Sequence, residues 1–356
     1  GIIEKLDYLK ELGIDIIWLS PIYQSPFVDQ GYDISDYYKI DPRFGTMDDF
    51  DELIAEARKR GMYIILDLVI NHCSDQHEWF QKALKDPTGK YGDYFYFRKG
   101  KNGNPPCNYR SYFGGSAWEK VKNTEYYYLH MFAKEQPDLN WNNPQVLEEL
   151  YKMVNWWLDK GIDGFRVDAI SHIKKEPGLI DMDNPHNLNY VSSFDKHMNV
   201  DGIHEYLEEL NKNTFSKYDI MTVGEANGVD ASESEMWVGE ENGKFNMIFQ
   251  FEHLNLWGEV GENKFNVKEY KKVLTKWQNA LEGKGWNALF VENHDIPRVV
   301  SSWGNDNEYL EESAKAFALM YFMQKGTPFI YQGQEIGMTN VRFDSIEKYN
   351  DVKSIN

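Results

Sequence analysis

The chain has 356 residues, 42% of them hydrophobic and 27% charged, an ordinary globular composition long enough to bury a full core and larger than one small domain. Its 57 acidic and 38 basic residues give a net charge of −19, which argues against nucleic acid or an anionic membrane as partner and favours a neutral or cationic ligand. The two cysteines, Cys73 and Cys107, have neither metal-type spacing nor a disulfide framework, so a reducing, cytoplasmic setting is expected; no run of about 18 apolar residues predicts a membrane span.

In chain order, Ile2, Ile3, Leu6, Leu9 and Leu12 form a helical stripe that Gly13 stops, and the apolar run Ile14 to Leu19 follows. A loop rich in Tyr and Asp leads to Thr46-Met47-Asp48-Asp49, a capping-box variant that opens a helix with Phe50, Leu53, Ile54 and Ala57 on its apolar face. Gly61 ends it, and Met62 to Ile70 is a nearly unbroken apolar strand interrupted by Asp67, the pattern of a strand buried on both faces in a parallel sheet. From about His72 to Trp141 the chain is rich in Gly, Asn, Pro, Tyr and Trp without a long periodic stretch, which reads as a functional insertion or a small subdomain. Asn143-Pro144 restarts the alternation as an N-cap with Pro at the first helical position, with Leu147, Leu150, Val154 and Trp157 or Leu158 as the stripe and Gly161 as the stop. Strands over 162–167, 220–223, 245–251, 287–291 and 327–331 alternate with helices near 203–213, 267–281 and 308–323. Seven strands with interleaved helices read as an α/β fold, a (β/α)8 TIM barrel one strand short, with a doubly wound sheet as the alternative.

Acidic residues follow three of these strands. In Gly164-Phe165-Arg166-Val167-Asp168 the strand period of two puts Arg166 and Asp168 on one face, and a close cation favours an ionised carboxylate. Glu225 follows the apolar strand and Gly224 with no basic neighbour in sequence, which suits a general acid; Asp295 follows His294, and both can hydrogen-bond hydroxyls. Taken singly, Asp168 reads equally well as a helix N-cap, Glu225 as a solvated turn residue and His294 as a structural histidine. Together at strand ends they point to catalysis, and an acid paired with a nucleophile or base is what glycoside cleavage uses. Asp67, inside a buried strand, must be paired or hydrogen-bonded; Asn71 and His72 at that strand's end suit hydroxyl binding better than metal binding, since their spacing matches no tight ligand motif. The 15% aromatic content fits either large core residues or flat platforms for sugar rings.

Asp67-Leu68-Val69-Ile70-Asn71-His72, Gly164 to Asp168, Gly224-Glu225 and Asn293-His294-Asp295 resemble, in order, four motifs of the α-amylase family of glycoside hydrolases, family 13. Gln136-Pro137-Asp138-Leu139-Asn140, Phe113 to Trp118 and Gly333 to Met338 further resemble its oligo-1,6-glucosidase and α-glucosidase subgroup. The resemblance implies a barrel in two parts, residues 1–71 and 142–356, with a small domain B inserted over 72–141. It places the first strand before Gly1 and a C-terminal β-domain after Asn356. It further implies a retaining exo-acting α-glucosidase: Asp168 the nucleophile, Glu225 the acid and base, and Asp295 gripping ring hydroxyls with His72 and His294, while Arg166 orients Asp168. The two carboxyls of a retaining pair lie roughly 5–5.5 Å apart. Tyr32 is expected to stack under the terminal glucose, Asp29 to bind its hydroxyls, and Phe113 and Phe132 to wall the pocket; without the resemblance, Asp29 and Tyr32 read as a polar surface loop. Arg298, just beyond the last motif, joins the implied substrate-binding residues.

By the same resemblance, Ala169 after the nucleophile leans towards α-1,4 over α-1,6 bonds. The implied partner is a short oligosaccharide. No cofactor and no metal-binding residue are expected in this chain, a structural Ca²⁺ or Mg²⁺ belonging to a loop before Gly1; a monomer is the expectation. The rival readings are a transglucosylase or sucrose isomerase on the same scaffold, and a catalytically silent transporter subunit. Silent members lose the triad carboxylates and carry a membrane span.

Overall fold

The computed structural model describes residues 1–257 and 265–355. Its chain forms two units, Gly1–Thr222 with Tyr349–Asn356, and Val223–Lys348. In the first, helix α1 (Leu6–Leu12) closes on Gly13 at φ 93° and precedes strand β1 (Ile16–Leu19) and the antiparallel pair β2 (Tyr23–Gln24) and β3 (Asp36–Ile40). Helix α2 (Met47–Lys59) starts on a reciprocal box: Asp49 N donates to Thr46 Oγ1 at 3.2 Å and Thr46 N to Asp49 Oδ2 at 2.6 Å. It buries Phe50, Leu53, Ile54 and Ala57, the predicted face. The stripe expected for α1 is less buried: Leu6 is covered, whereas Ile2 and Leu12 stay about two-fifths exposed. The first residues form a separate 3₁₀ turn, Ile3–Lys5, so the helix is shorter than its stripe.

Strand β4 (Tyr63–Val69) pairs parallel with β1, Ile16 opposite Tyr63 through Leu19 opposite Leu66. The segment that lacked periodicity is built of short pieces: helix α3 (Glu78–Lys85) and strands β5 (Phe97–Lys99), β6 (Trp118–Lys120) and β7 (Tyr126–Leu129), an antiparallel sheet in the order β5-β7-β6. Aromatic edges join them, with Phe80 against Tyr128 at 4.8 Å and against Phe95 at 5.0 Å between ring centroids. Helix α4 (Pro144–Lys160) takes its N-cap from Asn143 Oδ1, which accepts Gln145 N at 2.8 Å, and ends on Gly161 at φ 104°. Val146 and Met153 join Leu150, Val154, Trp157 and Leu158 on its buried face, with Leu147 only half-buried at the edge.

Strand β8 (Gly164–Asp168), buried throughout, pairs parallel with β4. Gly164 has φ 142°, and a Cβ there would lie 1.7 Å from the Met221 carbonyl oxygen. Only glycine lets the next strand approach this closely. Helix α5 (Ile203–Asn213) then leads to strand β9 (Met221–Glu225), whose Met221 N donates to Asp163 O at 3.0 Å.

In the second unit the end of β9 pairs parallel with β10 (Met247–Phe249), which follows the short helix α6 (Ser234–Val238). Helix α7 (Val267–Leu281), strand β11 (Ala288–Leu289), the single turn α8 (Val299–Ser302), helix α9 (Leu310–Phe322) and strand β12 (Thr327–Pro328) follow, β11 and β12 being parallel. Their ladder is two residues long against the five predicted for each strand. Tyr270, Leu289, Val291, Val299, Val300, Trp303, Phe317 and Tyr321 form the core of this unit. No described helix is long and apolar enough to cross a membrane.

Several histidines are buried as neutral rings. Burial lowers His77, whose Nδ1 caps α3 by accepting Trp79 N, from 6.5 to about 4, and lowers His253 to about 3. Burial also lowers His130 and His197. For His77 and His253 the unfolded chain takes up protons below about pH 6.5 and the folded one does not, so their contribution to stability is full above 6.5 and falls towards pH 4. The slope is about 1.4 kcal/mol per pH unit for each such histidine. Replacing His77 by Asn, which keeps a capping acceptor, is expected to make the fall in unfolding free energy between pH 7 and 5 shallower; an unchanged slope contradicts the assignment.

Candidate active site

The charged pair predicted on one strand face meets a third group from the neighbouring strand. Register places Arg166 beside Asp67 and Asp168 beside Val69. The Arg166 guanidinium, 2% exposed, donates through Nη1 to Asp67 Oδ1 at 2.9 Å and to Asp168 Oδ1 at 2.7 Å. Asp67 Oδ2 accepts Tyr32 Oη at 2.8 Å and Trp18 Nε1 at 3.2 Å, and the guanidinium lies over the Trp18 ring, 5.0 Å from its centroid. Burial of this kind is tolerable only because each charge is both paired and hydrogen-bonded. Immediately after Asp168, buried Ala169 takes a left-handed conformation, φ 44° and ψ 33°, so the chain turns sharply away once the carboxylate is placed.

The remaining site residues expected in the first unit form one connected set with this centre. His72 Nε2 lies 3.2 Å from the Tyr32 carbonyl oxygen and 3.2 Å from Gln136 Nε2, and Gln136 donates to Asp29 Oδ2 at 2.9 Å. Phe132 packs on the His72 ring at 5.0 Å, and Phe113 on Phe132 at 6.0 Å. The Asp29 loop is held by Asp33, fully buried, whose carboxylate accepts Val28 N at 2.9 Å and Asp29 N at 3.1 Å. Asp33 was not singled out in the sequence, although an aspartate closing a Gly-containing turn is the local signal for such a role. Lys175 carries no such signal. Its buried ammonium, pushed down by burial against the pull of Asp138, donates to Asn71 Oδ1 at 2.8 Å and His172 O at 2.7 Å, and pairs with Asp138 at 2.7 Å. Asn71 in turn meets His72 Nδ1 at 3.1 Å.

In the second unit, Glu225 is the last residue of β9, opposite Phe249 of β10. His294 Nε2 lies 3.6 Å from Asp295 Oδ2, and Asn293 Oδ1 accepts Asp295 N at 2.8 Å, so the exposed Asp295 sits on a hydrogen-bonded turn. Arg298 pairs with buried Glu292 at 2.9 Å, lies over the Tyr331 ring at 4.3 Å, and brings Nη2 within 3.1 Å of Met338 Sδ. Glu292, just beyond the strand expected over 287–291, was not singled out in the sequence; its partner is six residues on and invisible to periodicity. Among the described residues no group of three His, Cys, Asp or Glu side chains is arranged to hold a metal ion.

Parallel strands joined by helices, with charged side chains at the strands' C-terminal ends, define an α/β-barrel type of catalytic domain. The chain belongs to the α-amylase family: the model of the α-amylase catalytic domain matches residues 1–356, and the fold is the (β/α)8 barrel of that family. It is 58% identical over 352 residues to a probable oligo-1,6-glucosidase 3 of Bacillus subtilis, covering 99% of this chain and 64% of the relative. Among solved structures it is similar to the trehalose-6-phosphate hydrolase of Bacillus licheniformis (46% identity, TM-score 0.93) and to the isomaltulose synthase of Erwinia rhapontici NX5 (44%, 0.93). Each match covers 99% of this chain and 64% of the other, so the chain spans just under two thirds of the length of these relatives.

Asp67→Ala strips Arg166, Tyr32 and Trp18 of a shared buried acceptor. It is expected to destabilise the protein by about 3–5 kcal/mol, read from urea unfolding; a loss below about 1 kcal/mol contradicts the role given to Asp67.

Proposed function

We propose that this domain is the core of a retaining, exo-acting α-glucosidase that releases glucose from the non-reducing end of short α-glucosides. The observation that carries the reading is the Arg166 bridge, which presents Asp168 at the end of β8 with one carboxylate oxygen engaged at 2.7 Å, in a chain of the α-amylase family. In the first step an Asp168 oxygen bonds to the anomeric carbon while the bond to the leaving oxygen breaks, and Glu225 gives that oxygen its proton. In the second, Glu225 takes a proton from water, the water oxygen bonds to the same carbon, and Asp168 leaves. Two displacements restore the α configuration.

In this reading Asp295, His72 and His294 hold ring hydroxyls, Tyr32 stacks under the glucose and Asp29 binds its far hydroxyls, closing the pocket to longer chains. Residues 72–141 serve as domain B, with Phe113 and Phe132 as apolar walls. The two displacements need no cofactor, and the free, buried thiols of Cys73 and Cys107 suit a reducing cytoplasm. Asp168→Asn, nearly isosteric but not a nucleophile, is expected to lower kcat by at least about 1,000-fold with the fold retained. Wild-type-like turnover in that variant overturns the assignment.

Linkage preference has two supports that point apart. Ala169 leans to α-1,4 bonds, whereas the relative named oligo-1,6-glucosidase favours α-1,6. We propose that both are cleaved, because a methyl-sized difference at the residue after the nucleophile is worth only about 1–3 kcal/mol. The isomaltulose synthase likeness supports transfer to a sugar acceptor as the second reading. Proton NMR of the protein with equal maltose and isomaltose separates them: α-glucose appearing first from both is expected, loss of one alone fixes the linkage against the proposal, and new disaccharides favour the transferase. Ala169→Val is expected to shift the ratio towards isomaltose. It should also cost about 1–2 kcal/mol of stability, since a β-branched residue resists the left-handed conformation.

A further inference from the structure

Glu292 stands two residues before His294 and three before Asp295, and its carboxylate is more deeply buried than either. Its side chain is 1% exposed and that of its partner Arg298 is 12% exposed, which sets this pair apart from surface ion pairs of negligible worth. Each carboxylate oxygen has its own donor: Oε1 accepts Arg298 Nη1 at 2.9 Å and Oε2 accepts Val299 N at 2.7 Å. One side chain therefore ties the start of the 292–299 loop to its end, and the loop carries His294 and Asp295 between the two ties.

Arg298 is fixed from its other sides as well. Its backbone N donates to Asn340 Oδ1 at 2.7 Å, its guanidinium lies 4.3 Å over the Tyr331 ring, and Nη2 approaches Met338 Sδ at 3.1 Å. Val291 and Val299, flanking the loop, are both part of the buried core. A cation meant to grip a sugar has no need of this many protein partners; a cation meant to neutralise a buried carboxylate and hold a turn does.

We infer that Glu292 and Arg298 form a clamp that sets the position of the His294–Asp295 loop, so that Arg298 is a positioning residue and not a contact to the sugar. The functional half of this statement rests on the α-glucosidase reading; the structural half does not. Removing either partner frees the loop and leaves the other charge uncompensated, so the two substitutions must be strongly non-additive.

The test joins amide hydrogen exchange to a double-substitution cycle on the whole chain. Glu292→Gln keeps an oxygen for the Val299 amide and removes the charge; Arg298→Met keeps an apolar stem on Tyr331 and removes the cation. Each is expected to speed exchange across residues 293–298 about tenfold or more, with the rest of the chain unchanged, and the double variant to add nothing further. On maltose or isomaltose each single variant should lose about tenfold in kcat with KM little changed, and the double variant no more than the worse single one. Exchange within about twofold of wild type in Glu292→Gln, or kcat losses that multiply, overturns the clamp. Arg298→Lys keeps a cation beside Glu292 and so guards against loss of the fold; wild-type protection with kcat lost would return Arg298 to the sugar. If the unaltered protein cleaves neither disaccharide, the hydrolase reading fails and the exchange result alone decides the clamp.

Discussion

A single buried guanidinium between two carboxylates is the constraint on which the first unit depends. Arg166 meets Asp67 on the neighbouring strand and Asp168 on its own, Asp67 and Arg166 being almost wholly enclosed and Asp168 largely so. Such a cluster stands only if every charge is satisfied, because an unpaired buried ion costs several kcal/mol. That requirement fixes the register of β4 against β8, since a slip of one residue would put Asp67 on the opposite face from Arg166. It also recruits Trp18 and Tyr32, whose polar edges occupy the second oxygen of Asp67. Asp168 is left at the strand end with its position set from behind and the chain turning away at Ala169.

Outward from this centre, buried polar groups hold the loops. The Asp29 turn is pinned by Asp33, and Gln136 from the inserted segment reaches back to Asp29. Lys175 fastens Asn71 to Asp138, linking the end of β4 to the same inserted segment. Glu292 does the equivalent work in the second unit, closing the loop that bears His294 and Asp295. In each case a fully enclosed charge replaces what a longer stretch of regular structure would supply, which is how a loop on a rigid scaffold comes to hold functional groups in one geometry.

The parts of the fold legible in the sequence were those whose cause is local. Helices α5 and α7 occupy the ranges expected for them, 203–213 and 267–281. The two-residue spacing of Arg166 and Asp168 translated directly into their contact, and the need for a partner at Asp67 was evident from its place in an apolar run. Residues 72–141 were opaque for the converse reason. Their helix has eight residues and their strands three or four, too few for a period to emerge, and their order comes from aromatic edges between distant positions such as Phe80 and Tyr128. Lys175 and the pairing of Glu292 with Arg298 escaped notice because nothing beside them in the chain distinguishes a buried, paired charge from a solvated one. The signal for Asp33, the Gly-containing turn it closes, was present and not used. Val146 and Met153 on α4 were likewise displaced by Leu147 in the reading, since a stripe fixes a face only to within one residue either side.

The identity of Asp168 as nucleophile is the claim from which the proposed chemistry follows, and covalent trapping reaches it most directly. The protein would be incubated with a slow-reacting fluorinated α-glucosyl fluoride, quenched in acid, digested and analysed by mass spectrometry. The account predicts one fluoroglucosyl group per chain, on the peptide containing Asp168 and on that residue. A label on another carboxylate, or hydrolysis that proceeds with inversion and leaves no labelled peptide, would contradict it.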